Sequence, residues 1–250
     1  MERIEINEHM EESQPFRFKK FDIYQDRCAM KVGTDGVLLG AWAETSGKQH
    51  VLDIGSGTGL LALMIAQRNP FAIIDALEVD ESAFIQSRQN FLRSPWPERI
   101  SAWHLPVQDF QPPHLFDMII CNPPFYLHSP AMPDSPRKLA RLAHTLNPEE
   151  LLDCSQRLLK DEGLLQLVLP HREGQNFVNI AQKKGWILHR RTLVRTKPQK
   201  TISRHLIALT RTAQVSDNNK ENELVIQYEG THTYTEAFRK ILQEFYVIFD

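Results

Sequence analysis

The run Val51-Leu52-Asp53-Ile54-Gly55-Ser56-Gly57-Thr58-Gly59 constrains this chain more than any other segment. A short apolar stretch enters a turn with glycine at every second position, and residues 60–68 then carry apolar side chains at helical spacing. This reads as a buried strand that ends in a glycine-rich turn and opens a helix. Such strand–helix units build parallel sheets covered on both faces, and open sheets of this kind bind ligands beyond the carboxyl ends of their strands. Glycine lets the backbone take conformations closed to other residues and lets a ligand approach it closely. The spacing is G-x-G-x-G, with Leu60 where a dinucleotide fingerprint would place its last glycine. A purely structural tight turn is the competing reading.

The remaining chain repeats the alternation. Strands are predicted at 72–79, 100–105, 118–121, 163–169, 186–195 and 204–210, and helices at 82–93, 148–159 (with Asn147 as N-cap) and 173–184. Residues 196–203 are too few for a crossover helix, so the strands they join must be antiparallel. One more strand is expected at 223–228 and a terminal helix at 234–245, with 216–222 as a mobile loop. A chain of 250 residues with 42% hydrophobic and 24% charged residues can bury a core without disulfides or metals. Residues 1–14 are polar and acidic, without the apolar centre of a signal peptide, and no stretch is long and apolar enough to span a membrane. Cys28, Cys121 and Cys154 are scattered, which suits neither a disulfide framework nor a zinc site. These features lead us to expect a cytoplasmic protein.

Three acidic or amide positions lie where the sheet would bind a ligand. Glu78 closes the second strand about 20 residues past the glycines, the distance at which a carboxylate meets a ribose diol; Asp80 could instead cap the next helix. Asp109 follows the third strand and could accept from an adenine amino group, with Phe110 packed near the ring. After the fourth strand comes Asn122-Pro123-Pro124-Phe125. Consecutive prolines fix the backbone and remove donors. Asn122 then offers an amide oxygen, the proline segment a carbonyl, and Phe125 a flat face for a base. As plain structure the same residues are a turn.

The formal net charge is only -2, but residues 174–216 contain no Asp or Glu. Lys183, Lys184, Arg190, Arg191, Arg195, Lys197, Lys200 and Arg204 all fall there, the segregated pattern expected of a surface for a phosphate backbone. A solvated face is the alternative.

Together, D-x-G-x-G-x-G and N-P-P-F resemble the motifs of class I amino-methyltransferases. Both flanks resemble a narrower family, the bacterial tRNA(Val) adenine-N6-methyltransferases. The resemblance lies in Tyr24-Gln25, in Lys31-Val32-Gly33-Thr34-Asp35-Gly36-Val37-Leu38-Leu39, in Ala140-Arg141-Leu142-Ala143-His144 and in Tyr234-Thr235-Glu236. It implies an α/β, Rossmann-like class I methyltransferase fold, a seven-stranded, mostly parallel sheet with an antiparallel last strand and helices on both faces. It implies S-adenosyl-L-methionine as cofactor, with Asp53, Gly55, Gly57 and Gly59 at its methionine and ribose end, Glu78 on the ribose, Asp109 on the adenine, and Lys31, Thr34 and Asp35 closing over the methionine. Asn122, Pro123, Pro124 and Phe125 would hold the target amine. The implied substrate is adenine N6 in tRNA, at adenosine 37 beside the anticodon of a valine tRNA, with the anticodon stem-loop as partner. The expected protein is a monomer without metal. It would have a flexible segment at 1–15 and one methyltransferase domain at 16–250, of which 16–45 covers the cofactor. Arg141-Leu142-Ala143-His144 departs from the arginine-histidine-glutamate run of the family. An rRNA guanine-N2 methyltransferase, a protein glutamine-N5 methyltransferase and an RNA-binding protein with a vestigial cofactor fold remain open alternatives.

Overall fold

The computed structural model describes residues 14–123, 146–213 and 221–249. Its main sheet contains β3 (His50–Ile54), β4 (Ile73–Glu78), β5 (Ile100–His104), β6 (Phe116–Cys121), β7 (Leu159–Pro170), β8 (Ile187–Arg195), β9 (Ile202–Thr210) and β10 (Glu221–Val225). A two-stranded ribbon, β1 (Phe16–Arg17) with β2 (Asp22–Ile23), precedes it. The strand order across the main sheet is β10-β8-β9-β7-β6-β3-β4-β5. Only β9 opposes its neighbours, β7 and β8; the other pairs are parallel. The expected antiparallel strand is thus the seventh, but it is not the last. An eighth, β10, pairs parallel with β8 and makes the sheet eight-stranded. It begins at Glu221, so the loop expected at 216–222 ends two residues early, and 216–220 lie outside the described residues.

Two cores cover the two faces, and strand alternation sorts the residues between them. Val51, Met118, Ile120, Leu206 and Ala208 face one core; Leu52, Ile119, Cys121, Ile207 and Leu209 face the other. Strands buried on both sides read as continuous apolar runs, which is why periodicity in the sequence marks them so weakly. The first core is closed by α1 (Thr34–Trp42), α2 (Leu60–Arg68), Phe91 of α3 (Glu81–Arg93) and Phe238 of α6 (Glu236–Leu242). The second is closed by α4 (Pro148–Leu158) and α5 (His171–Lys183). In α1 every residue from Gly36 to Trp42 is buried, and a Cβ on Gly40 would fall 2.5 Å from the sulfur of Met64 in α2.

Side-chain caps set several helix starts. Asp80 accepts from the Ala83 N–H, so the capping alternative weighed for this residue is realised. Asn147 and Glu150 form a reciprocal capping box, as the predicted N-cap required. Thr235 accepts from the Phe238 N–H, which starts α6 later than the expected 234. The three cysteines are free and buried. Among the described residues no helix is long and apolar enough to cross a membrane.

Candidate active site

The glycine turn sits beyond the carboxyl end of β3, which lies between β6 and β4. Gly55, Gly57 and Gly59 have φ of 72°, 55° and 82°, in the left-handed region that favours glycine. The three differ in what a side chain would meet. At Gly59 a Cβ would strike the Phe91 ring at 2.3 Å, whereas at Gly55 and Gly57 it would meet nothing within 4 Å. Gly59 therefore serves packing, and the other two leave the front of the turn open. The Gly55 and Ser56 N–H groups both donate to the Leu77 carbonyl at 2.9 Å. Glu78 completes the tie between strands. Its Oε2 accepts from the Gly57 N–H at 2.8 Å, and its Oε1 accepts from Val79 and Asp80 N–H at 2.8 and 2.9 Å. Glu78, expected from the sequence to meet a ribose, thus stands against the glycine turn with both oxygens accepting from backbone N–H groups.

Asp53 lies beneath this turn, fully buried. Its Oδ2 accepts from the Ala62 N–H in the first turn of α2, while Oδ1 has no partner. Burial pushes its carboxyl up to about 7, opposed by the Ala62 N–H and reinforced by Glu78. Ser56 Oγ is a second buried atom without a partner in this turn.

β6 runs beside β3, with Cys121 opposite Ile54, so Asn122 emerges next to Gly55. Asn122 Oδ1 is buried and unpartnered, and its Nδ2 faces the Met30 sulfur at 3.9 Å. Pro123 is half-buried beside it. Pro124, Phe125 and residues 140–144, including His144, lie outside the described residues.

The segment before α1 lies over this end of the sheet and is held by residues that sequence reasoning missed. Asn90, fully buried in α3, accepts from the Tyr24 N–H at 3.1 Å and donates to the Tyr24 and Thr58 carbonyls at 2.8 Å each. Gln86, one turn earlier, accepts from the Arg27 N–H. The available signal was two amides four residues apart on the helix face that must meet the sheet. Gln25 accepts from the Val32 N–H at 2.7 Å, closing the segment on itself. Burial, then Glu78 and Asp80, drive the Cys28 thiol up to about 12. Lys31 and Thr34 are exposed at its end. Asp35 is ion-paired with Arg204. Asp109 is exposed in a turn closed by its N–H donating to the Pro106 carbonyl. Phe110, expected beside a ligand ring, is instead buried between Trp103 and Phe116, because the turn directs it into the second core.

The basic window is basic in sequence but not in space. Acids from outside the window reach it: Glu221 pairs with Arg191, Glu223 with Arg195, Asp35 with Arg204 and Asp153 with Lys184. Arg190 stacks on the Trp42 ring at 3.8 Å and donates to its carbonyl, and burial lowers its pKa. Lys183 and Lys184 lie at the end of the 13-residue α5, which starts at the Asn122 end of the sheet and runs about 20 Å away from it. Lys197 and Lys200 sit in the β8–β9 turn, at the same end of the sheet as Asn122. The single basic face expected from composition is therefore divided.

The family described as "Methyltransferase small domain" matches residues 30–183. The chain is 43% identical over 233 residues to the tRNA1(Val) (adenine(37)-N6)-methyltransferase of Tolumonas auensis, covering 93% of this chain and 96% of that protein. It is 42% identical to the protein of the same name from Dyadobacter fermentans, covering 94% and 98%. Among solved structures, a predicted O-methyltransferase from Agrobacterium tumefaciens superposes with a TM-score of 0.61 at 16% identity, covering 84% of this chain and 96% of that one, a likeness of fold. With the strand–turn–helix, the Glu78 tie and the Asn122-Pro123 strand end in place, the chain belongs to the family of the tRNA1(Val) (adenine(37)-N6)-methyltransferases.

Proposed function

We propose that this chain transfers the methyl group of S-adenosylmethionine to N6 of adenosine 37 in tRNA1(Val), the reaction its relatives are named for. The observation that carries the reading is the unpartnered, buried Oδ1 of Asn122 beside the open turn at Gly55 and Gly57. The residues fit this cofactor. Asp53 Oδ1 is a buried acceptor in search of a cationic or N–H partner, as the amino group of a methionine moiety would be. Glu78 ends β4 and Asp109 lies in the turn after β5, where they would meet a ribose and an adenine, with Lys31 on the segment before α1 and Thr34 and Asp35 in the first turn of α1 closing over the methionine.

The cofactor would supply an activated methyl group on a sulfonium, whose sulfur keeps the electron pair of the broken methyl–sulfur bond and leaves as a neutral thioether. An adenine amine is a poor nucleophile because its lone pair is delocalised into the ring. Asn122 Oδ1 and the Pro123 carbonyl accept its two hydrogens and so favour a pyramidal nitrogen with a localised lone pair. The same two acceptors stabilise the positive charge that develops on nitrogen as the N–C bond forms. Holding nitrogen in line with the methyl group supplies much of the remaining rate enhancement, and the surplus proton then leaves to water. Phe125 would stack on the base. A base cannot reach this depth from within a helix, so the target is unpaired or flipped. Lys197 and Lys200 meet the phosphates of the anticodon stem-loop. The protein acts as a cytoplasmic monomer, without a metal, through one domain at 16–250.

The experiment is methyl transfer from labelled cofactor to RNA of a strain lacking the protein, read by nucleoside mass spectrometry. N6-methyladenosine at position 37 of tRNA1(Val) is expected. Label in N2-methylguanosine of rRNA, or in protein glutamine, would overturn the substrate assignment.

A further inference from the structure

The catalytic amide has two chemically opposite ends, and the reaction above uses only one. An asparagine amide that turns by half a rotation presents two donors where an acceptor is required, and two donors facing an amine stabilise nothing. Some neighbour must choose the orientation. Nδ2 of Asn122 points at the segment that precedes the sheet. It lies 3.9 Å from the Met30 sulfur and 3.7 Å from where a Cβ on Gly36 would stand. A thioether accepts weakly and never donates, so it favours the NH2 end and repels the carbonyl end. The opposite atom, Oδ1, is the buried one without a partner. Met30 itself is 48% exposed, so burial of its side chain does not account for its place.

We propose that Met30 is a positioning residue: its sulfur accepts from Asn122 Nδ2 and so turns Oδ1 toward the target amine. This rests on the reading of Asn122 given above. The covering segment then sets the orientation of the group that activates the substrate. Its fastening to α3 through Asn90 and Gln86 holds the sulfur in place.

Two substitutions separate this role from packing. Met30→Leu keeps volume and apolarity but removes the acceptor; Met30→Gln keeps an acceptor of similar reach and gives up apolarity. The expected result is a kcat for Met30→Leu lower by roughly two- to tenfold, the worth of one neutral hydrogen bond. Cofactor Kd and tRNA KM should be unchanged, and Met30→Gln should lie closer to wild type. The reverse ranking assigns Met30 to packing and overturns the proposal, as does wild-type kcat in both variants. Asn122→Ala, assayed in the same series, separates the two levels. If it stays active, the Asn122 reading itself fails. If it is inactive while Met30→Leu matches wild type, only the role of Met30 fails.

Discussion

At the carboxyl ends of β3 and β6, buried polar atoms go without partners; along β8 and β10, opposite charges are matched almost one for one. Asp53 Oδ1 beneath the glycine turn, Ser56 Oγ in it and Asn122 Oδ1 beside it across the β3–β6 pair are all buried and unpartnered. Arg191, Arg195 and Arg204 each have an acid in contact. Buried polar groups are nearly always satisfied, so a cluster of exceptions marks where something else is to bind. Exposed ion pairs contribute little to stability and are screened by salt, but they do cancel the local field that would attract a phosphate. The contrast shows that charge counted along a sequence is a poor guide to charge in space, and that unmet polar atoms point to a ligand where several gather at one turn, not where they stand singly, as Arg190 Nε and Trp186 Nε1 do.

The sharpest break of this contrast is Asn122→Ala. Removing a preorganised acceptor should cost roughly 10²–10³-fold in methyl transfer, while calorimetry finds cofactor binding unchanged. Retained turnover would show that the unpartnered oxygen is incidental. Next comes Asp53→Asn. Because the folded-state pKa of Asp53, about 7, lies above the ordinary value of 3.8, the folded protein resists ionisation that the unfolded chain permits. Stability should therefore fall as pH rises from about 4 to about 7 and level off above, by on the order of a few kcal/mol. Thermal unfolding at pH 5 and pH 8 should show that loss in wild type and not in Asp53→Asn. Cofactor binding should strengthen over the same range in wild type alone, since an ionised Asp53 is the better partner for an ammonium.

Gly59→Ala and Gly57→Ala sharpen the comparison inside the turn. Both are strained by positive φ, about 1–2 kcal/mol each. Only Gly59→Ala also collides with Phe91, so its melting temperature should fall further. Gly57→Ala should mainly raise the cofactor Kd. The smallest effects belong to the basic residues. Lys197→Ala with Lys200→Ala should weaken tRNA binding and lower its salt slope by about 2. Arg191→Ala, already paired with Glu221, should leave that slope unchanged. Equal effects from both would restore the single basic face.

The legibility of these two regions in the sequence follows the same division. Asp53, the glycines, Glu78 and Asn122 are set by contacts within β3, β4 and β6 and the turns that follow them. Strand adjacency therefore brings together what the motif order foretold. The eighth strand was visible as a β-prone run at 223–228, but its partner was not. Pairing with β8 is a contact across about 30 residues that no local pattern encodes. For the same reason the acids of β10 could not be credited against the arginines of β8. Phe110 was misplaced because an aromatic after an acidic turn reads identically whether it faces a ligand or the core. Asn90 went unnoticed because the Gln86 and Asn90 pair marks only a polar stripe on the inner helix face, and the backbone groups it fastens lie about 60 residues away in the sequence.

The burial of the three cysteines has a practical consequence for spectroscopy. Burial raises the thiol pKa of Cys28, Cys121 and Cys154, so little thiolate exists near neutral pH to react with a maleimide. The native chain is in effect already cysteine-silent. A fluorophore on a single cysteine introduced at Lys197 or Lys200 would report tRNA arriving at the rim, with every natural residue elsewhere left in place.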